Sequence, residues 1–110
     1  MAFNGTITNE PLNFGGLGMT GGRRFRLSTV DFAATAYEAL GELVLASEFD
    51  FPTAIESVAF GGITDGATVA INCVFDAENS KLILLDLLGV PIVDSTDVSG
   101  VSCKLFVIGY

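Results

Sequence analysis

The sequence lacks histidine and tryptophan, and only five basic residues stand against thirteen acidic ones, which gives a net charge of −8. Histidine is the most common general acid or base near neutral pH and the most common metal ligand, so its absence removes much of the usual catalytic repertoire. A negative charge also opposes binding to nucleic acid, which requires cationic side chains along the phosphates. We therefore expect no catalytic residues, no metal, no cofactor and no nucleic-acid partner.

Charged residues are scarce as well, at 16% of the chain against 50% hydrophobic residues. A typical globular domain has roughly 25% charged residues. The 110 residues are enough for one domain. With this composition the domain has more apolar side chains than its core can bury. The apolar side chains left outside the core are expected on the surface, where they favour contact with further copies of the chain or with another protein.

Long hydrophobic runs are also missing. The most apolar stretch, Leu82 to Val93, has twelve residues and is interrupted by Asp86 and Pro91. A membrane-spanning helix needs about 20 apolar residues, so we expect no membrane partner. The start Met1-Ala2-Phe3-Asn4 lacks the positive region and apolar run of a secretory signal. We therefore expect the protein to be made and assembled in a reducing compartment.

Only two cysteines are present, Cys73 and Cys103, and both fall on apolar faces of predicted strands. Buried free cysteines pack as small hydrophobic residues. Facing strands would also allow a disulfide, and this alternative stays open, although nothing marks the chain as secreted. A metal site is the least favoured reading, because there is no histidine and no Cys-x-x-Cys spacing.

Residues 1–22 have the composition of an N-terminal arm rather than of a packed element. Residues 15–22 contain five glycines in eight positions, which form no stable helix or strand without a neighbour. The arm nevertheless carries apolar side chains, and a freely solvated tail would be more polar. We predict that it binds a partner by strand addition, with residues 23–110 as the body. The predicted partner-binding residues are Phe3, Ile7, Leu12, Phe14, Leu17 and Met19, and Phe3 and Phe14 are the favoured anchors.

The body reads as short strands separated by turn signals about ten residues apart. Residues 31–40 favour a short helix or a turn, and the Gly61-Gly62 pair and residues 76–80 favour turns, with Asn79 in the left-handed region. The final strand is apolar on both faces, which suits a central position in a sheet. We predict an all-β fold, a small antiparallel β-sandwich or barrel of six to seven strands with a Gly-rich N-terminal arm and at most one short helix. The predicted strands are 23–30, 42–50, 54–60, 68–75, 81–85 and 101–108.

Three patterns resemble functional motifs but have simpler explanations. Residues 16–21 match G-x-G-x-x-G, yet a strand follows them where a dinucleotide site needs a helix. The loop aspartates fit no EF-hand spacing and are interpreted as solvated turn residues. A carboxylate pair for glycoside hydrolysis cannot be selected from spacing, so an enzyme is the last-ranked hypothesis. The cluster Arg23, Arg24 and Arg26 is expected to form ion pairs with carboxylates across strands or at an interface, with the interface favoured, rather than to bind phosphate.

The chain resembles the small decoration (cement) proteins and related head proteins of tailed bacteriophages. The resemblance lies in the Met-Ala-Phe-Asn-Gly-Thr start, in Asn13-Phe14-Gly15-Gly16, in the strand-turn-strand of residues 74–82, and in the terminal Val107-Ile108-Gly109-Tyr110. It implies a non-enzymatic protein that binds at symmetry axes of the capsid, often as a trimer, and strengthens the shell. The expected partners are the major capsid protein and other copies of the chain, and the expected location is the capsid surface of the virion, after assembly in the host cytoplasm.

A ligand-binding module, for example a carbohydrate-binding β-sandwich, is the alternative. Such a site usually offers an aromatic platform, and here only Tyr37 or Tyr110 could supply a tyrosine ring. The absence of tryptophan counts against this alternative.

Overall fold

The computed structural model describes residues 3–10, 18–19, 23–38 and 41–110. These residues form two antiparallel sheets and one short 3-10 helix, Ala46–Phe49, which confirms the all-β fold class. The sheets do not close into a barrel. The strands of the described residues are β1 Gly5–Asn9, β2 Gly18–Met19, β3 Arg23–Phe32, β4 Glu42–Leu43, β5 Ile55–Asp65, β6 Asn72–Asp76, β7 Lys81–Leu85 and β8 Ser102–Gly109.

The larger sheet has the strand order β1-β3-β8-β5, and β2 pairs with β3 beyond the end of β1. The chain's last strand, β8, therefore lies at the centre, as its two-sided apolar pattern predicted. Side chains alternate across a sheet, so Cys103, Leu105 and Val107 are fully buried against the second sheet. Phe106 points to the opposite face, where its ring stacks on Phe25 with centroids 5.9 Å apart.

The smaller sheet has the order β4-β7-β6, in which β6 and β7 form a hairpin. The Asp76 carboxylate closes the hairpin turn, because its Oδ1 accepts hydrogen bonds from the N–H groups of Glu78 at 3.0 Å and Asn79 at 3.3 Å. The left-handed residue of this turn is Ser80, with φ of 55°, and not Asn79 as predicted. The Asn79 amide instead donates to Asp76 Oδ2 at 2.8 Å.

A single core lies between the sheets. The large side chains that are fully buried there come from both sheets and from the segments that connect them, so the connections are packed parts of the body. These side chains are Val30, Phe32, Tyr37, Val44, Phe49, Leu82, Leu84, Val98, Val101, Leu105 and Val107.

Two local predictions in the body are wrong, the helix alternative for residues 31–40 and the length of the strand 42–50. No helix occurs in the described part of 31–40, because β3 continues to Phe32 and residues 33–38 are irregular. The predicted strand 42–50 is a strand only at Glu42–Leu43. The Glu48 carboxylate then accepts a hydrogen bond from the N–H of Leu45 at 2.8 Å and caps the 3-10 helix.

Two further predictions, the turn at Gly61-Gly62 and the start of the strand 68–75, also differ from the structure. The Gly61-Gly62 pair makes no turn and lies inside β5, where the register shifts between Phe60 and Gly62 and Gly62 has φ of 134°. Glycine tolerates this backbone conformation, and such an irregularity disrupts an exposed sheet edge. The predicted strand 68–75 begins only at Asn72, because the N–H of Val69 closes a turn on the carbonyl of Gly66 at 2.9 Å.

The first described segment belongs to the body. Residues Gly5–Asn9 pair along β3, and Phe3 is only 4% exposed, with its ring edge-to-face against Phe32 at 5.0 Å. The predicted boundary at residue 22 therefore needs correction for residues 3–10. Pairing with β3 fixes the position of residues 5–9 within their own chain.

Candidate functional site

An exposed apolar loop follows β7. We define the apolar loop as residues 87–93. Four of its side chains are large, apolar and mostly in solvent: Leu88 is 87% exposed, Val93 72%, Leu87 66% and Val90 51%. Scattered exposed hydrophobic residues are common, but four within seven consecutive positions form a concentrated surface. In a domain of this size such a surface usually meets a partner.

Asp86, which directly precedes the apolar loop, fixes the shape of its turn. The Asp86 Oδ1 atom accepts hydrogen bonds from the N–H groups of Leu88 at 2.9 Å and Val90 at 3.1 Å. The backbone closes the same turn, since Asp86 N–H donates to the Val90 carbonyl at 2.9 Å and Gly89 N–H donates to the Asp86 carbonyl at 3.0 Å. Gly89 has φ of 75°, a conformation that a residue with a Cβ rarely adopts.

The C-terminal end of the apolar loop is bound to the body of the protein. Pro91 forms an isolated bridge with Leu85, and Ile92 N–H donates to the Leu84 carbonyl at 3.0 Å. The Ile92 side chain is 5% exposed and packs in the core. The loop is thus held at both ends and across its turn, so its apolar side chains lie in a defined arrangement before any partner arrives. Such preorganisation lowers the conformational entropy lost on binding.

The chemistry of this surface is apolar throughout. Its side chains are aliphatic, with no nucleophile and no pair of titratable groups. Burying one leucine side chain contributes about 1.5–3 kcal/mol, and a few such anchors dominate most protein interfaces. The loop is therefore suited to bind an apolar pocket on another protein.

The predicted arm residues are not brought together by the described structure. Phe3 is buried in the core of its own chain, where its side chain is not presented to a partner, and Ile7 is partly buried against that core. Leu12, Phe14 and Leu17 lie outside the described residues. Met19 is part of β2, and only its backbone is described. The prediction that Ile7, Leu12, Phe14, Leu17 and Met19 bind a partner stays a prediction.

The arginine cluster lies on β3. Arg26 Nε is 3.8 Å from Asp50 Oδ2 of the same chain, an ion pair within the chain, and the interface pairing of the cluster stays a prediction. The pairing follows from Asp50 at the end of the 3-10 helix, where its left-handed backbone presents the side chain to β3. Arg24 is exposed on β3, and for Arg23 only the backbone is described.

Tyrosines do not form the aromatic platform of the alternative hypothesis. Tyr37 is fully buried, so its ring cannot stack on a bound sugar. The same burial raises the pKa of its hydroxyl. Tyr110 is 42% exposed. A single half-exposed tyrosine offers little area for a carbohydrate.

The loop aspartates have structural partners. The pKa of Asp97 is lowered mainly by the hydrogen bond from the Ser99 hydroxyl, and that of Asp76 mainly by the bond from the Asn79 side chain. Among the residues that the structure describes, no three His, Cys, Asp or Glu side chains group as a metal site. No helix in the described ranges is long and apolar enough to cross a membrane.

Sequence reasoning missed the apolar loop. In the sequence, the run from Leu82 to Val93 reads as one apolar stretch and the polar residues after it as a connection. The available signal was the pattern Asp-Leu-Leu-Gly-Val-Pro at 86–91, in which turn residues alternate with large apolar ones.

Comparison with protein-family profiles, curated proteins and solved structures finds no match for this chain.

Proposed function

We propose that this chain is a non-enzymatic structural protein of a virion, a capsid decoration protein that binds the major capsid protein between neighbouring subunits and stabilises the shell. The observation that carries the proposal is the apolar loop, a rigid and solvent-exposed surface with no catalytic chemistry of its own. The resemblance of the sequence to bacteriophage decoration proteins supplies the class of partner.

The mechanism we propose is a clamp. The two sheets form a body that keeps the loop in position, and Leu87, Leu88, Val90 and Val93 enter an apolar depression formed where capsid subunits meet. Because Asp86 already fixes the turn, little conformational entropy is lost when the side chains are buried. A clamp that joins two subunits adds its binding free energy to the contact between them, and the shell then dissociates at higher temperature.

We also propose that the protein acts as a homotrimer. Leu12, Phe14 and Leu17 provide further apolar side chains in a chain with few charges, and they would bind neighbouring copies at a capsid symmetry axis. Light scattering after size-exclusion chromatography tests this directly. We expect a mass about three times the 11.5 kDa of one chain, and a protein that stays at one chain mass at all concentrations would contradict the trimer.

The function is tested on particles of the virus that encodes the chain. Capsids produced without this protein should release their genome at lower temperature than complete capsids, and adding the purified protein should restore the difference. The same addition with a Leu87→Ser/Leu88→Ser double variant should not restore it. Capsids whose stability is unaffected by the purified protein would contradict the proposal.

A further inference from the structure

Two thiols meet in the interior of the body. Cys73 lies on β6 of the smaller sheet and Cys103 on β8 of the larger one, with 2% and 0% of their surfaces exposed. Both are free thiols of the same core cluster, and Cys103 is the neighbour that acts on the Cys73 thiol. The two sheets thus carry one cysteine each at facing positions of the core.

The strands hold these positions firmly. Cys103 lies in the central strand, paired with Val30 on one side and Ile63 on the other, and Cys73 lies opposite Leu84 in the hairpin. A disulfide needs its two Cβ atoms close and correctly oriented. Bonds between facing strands of the two sheets are known from other β-sandwiches. The pair is distinct from the apolar loop and takes no part in the proposed contact.

The surroundings also explain why the pair is stable as thiols. The hydrogen bond to Cys103 and burial raise the pKa of the Cys73 thiol well above its ordinary value. Thiol–disulfide exchange proceeds through the thiolate, so the folded protein reacts slowly. Oxidation requires opening of the core or folding in the presence of an oxidant.

We propose that Cys73 and Cys103 are an oxidation site that forms a disulfide between the two sheets when the chain folds or opens outside a reducing compartment. Two S–H bonds break and one S–S bond forms. The two electrons and two protons pass to a low-molecular-weight disulfide, which is reduced to two thiols. This inference does not depend on the proposed function.

The bond would join residues 30 positions apart and so restrict the unfolded chain. A disulfide that closes a loop of this size typically raises the Tm of a small domain by about 10 °C. The reduced protein would be the less stable form inside a cell, and the oxidised protein the more durable form outside it.

The test compares protein refolded from urea in a buffer of reduced and oxidised glutathione with protein refolded in excess reductant. We expect the oxidised sample to lose both free thiols, to show a mass lower by two hydrogens in a single chain, and to unfold about 10 °C higher. The control Cys73→Ala leaves one cysteine and should unfold at the same temperature in both buffers.

Each outcome decides the proposal. Two free thiols after refolding in the oxidising buffer, a bond between different chains, or a lower Tm for the bonded chain would overturn it. If Cys73→Ala does not fold, Cys103→Ala is the second control, and the thiol count of the unmodified chain remains decisive.

Discussion

The hydroxyl of Tyr37 accepts a hydrogen bond from the backbone N–H of Leu84 at 2.9 Å, and both residues are fully buried. Leu84 lies on β7 beyond the short strand β4, so this N–H has no strand partner on that side. The Tyr37 backbone is also bound, since its N–H donates to the Thr96 carbonyl at 2.9 Å and its carbonyl accepts from Ser95 at 2.8 Å. The backbone and the hydroxyl of Tyr37 together therefore tie two connecting segments to the smaller sheet.

Removal of this hydroxyl should destabilise the fold. In Tyr37→Phe the Leu84 N–H stays buried without an acceptor, which costs about 1–3 kcal/mol. Urea unfolding followed by circular dichroism measures the change. Tyr37→Leu, which also removes part of the ring packing, should lose more. Equal stability of Tyr37→Phe and the unmodified chain would show that Leu84 finds another partner.

Phe3 should contribute to the stability of the body. Its ring is buried against Phe32, and its N–H donates to the Glu48 carboxylate at 3.1 Å from Oε1. Phe3→Ala is expected to lower the free energy of unfolding by about 3–5 kcal/mol, the usual cost of removing a buried phenylalanine ring. Thr6→Ala, at an exposed position of β1, is the matched control and should change it by less than about 0.5 kcal/mol. A Phe3→Ala variant as stable as the unmodified chain would restore the picture of a separate arm.

Glu42 should make the fold less stable as the pH rises. Burial raises the pKa of its carboxyl above the ordinary value, although the Glu38 N–H donates to it at 3.3 Å. A raised folded-state pKa gives a stabilising contribution that is complete below the unfolded pKa and is lost as pH rises through the folded one. Glu42→Gln should therefore be more stable than the unmodified chain at neutral pH, and the difference should vanish in mild acid.

Thermal unfolding across that pH range measures the Glu42 effect. The two proteins should converge as the pH falls to the ordinary pKa of a glutamate and diverge above it. A Glu42→Gln variant that is less stable at neutral pH would contradict the prediction, because the ionised carboxylate would then be favoured by its surroundings.

The sequence predicts the elements whose burial follows from their own pattern. The central strand β8 is recognisable because Cys103, Leu105 and Val107 form one apolar face while Phe106 and Ile108 add apolar residues to the other. The Asp76 turn between β6 and β7 is recognisable because polar turn residues separate two apolar runs. In both cases local chemistry and tertiary position agree, so the pattern is sufficient.

The remainder depends on contacts between distant residues. The place of Phe3 is set by Phe32 and Glu48, and no spacing within residues 1–22 indicates either partner. The exposure of Leu88 is also a tertiary property, because an apolar residue in a run resembles a core residue until the fold leaves it outside. Thus the fold class was predictable, and the candidate site was not.

The apolar loop is the central element of the account, and Leu88 is its most exposed side chain at 87%. The most direct test measures the affinity of the purified protein for capsids that lack it, with the unmodified chain, Leu88→Ser and Leu45→Ser compared. Leu45 is the matched control, a 40% exposed leucine at the start of the 3-10 helix. Loss of one buried leucine contact, about 2 kcal/mol, should weaken binding of Leu88→Ser roughly 30-fold, while Leu45→Ser binds like the unmodified chain. Equal binding of Leu88→Ser and the unmodified chain, or no saturable binding by either, would contradict the account.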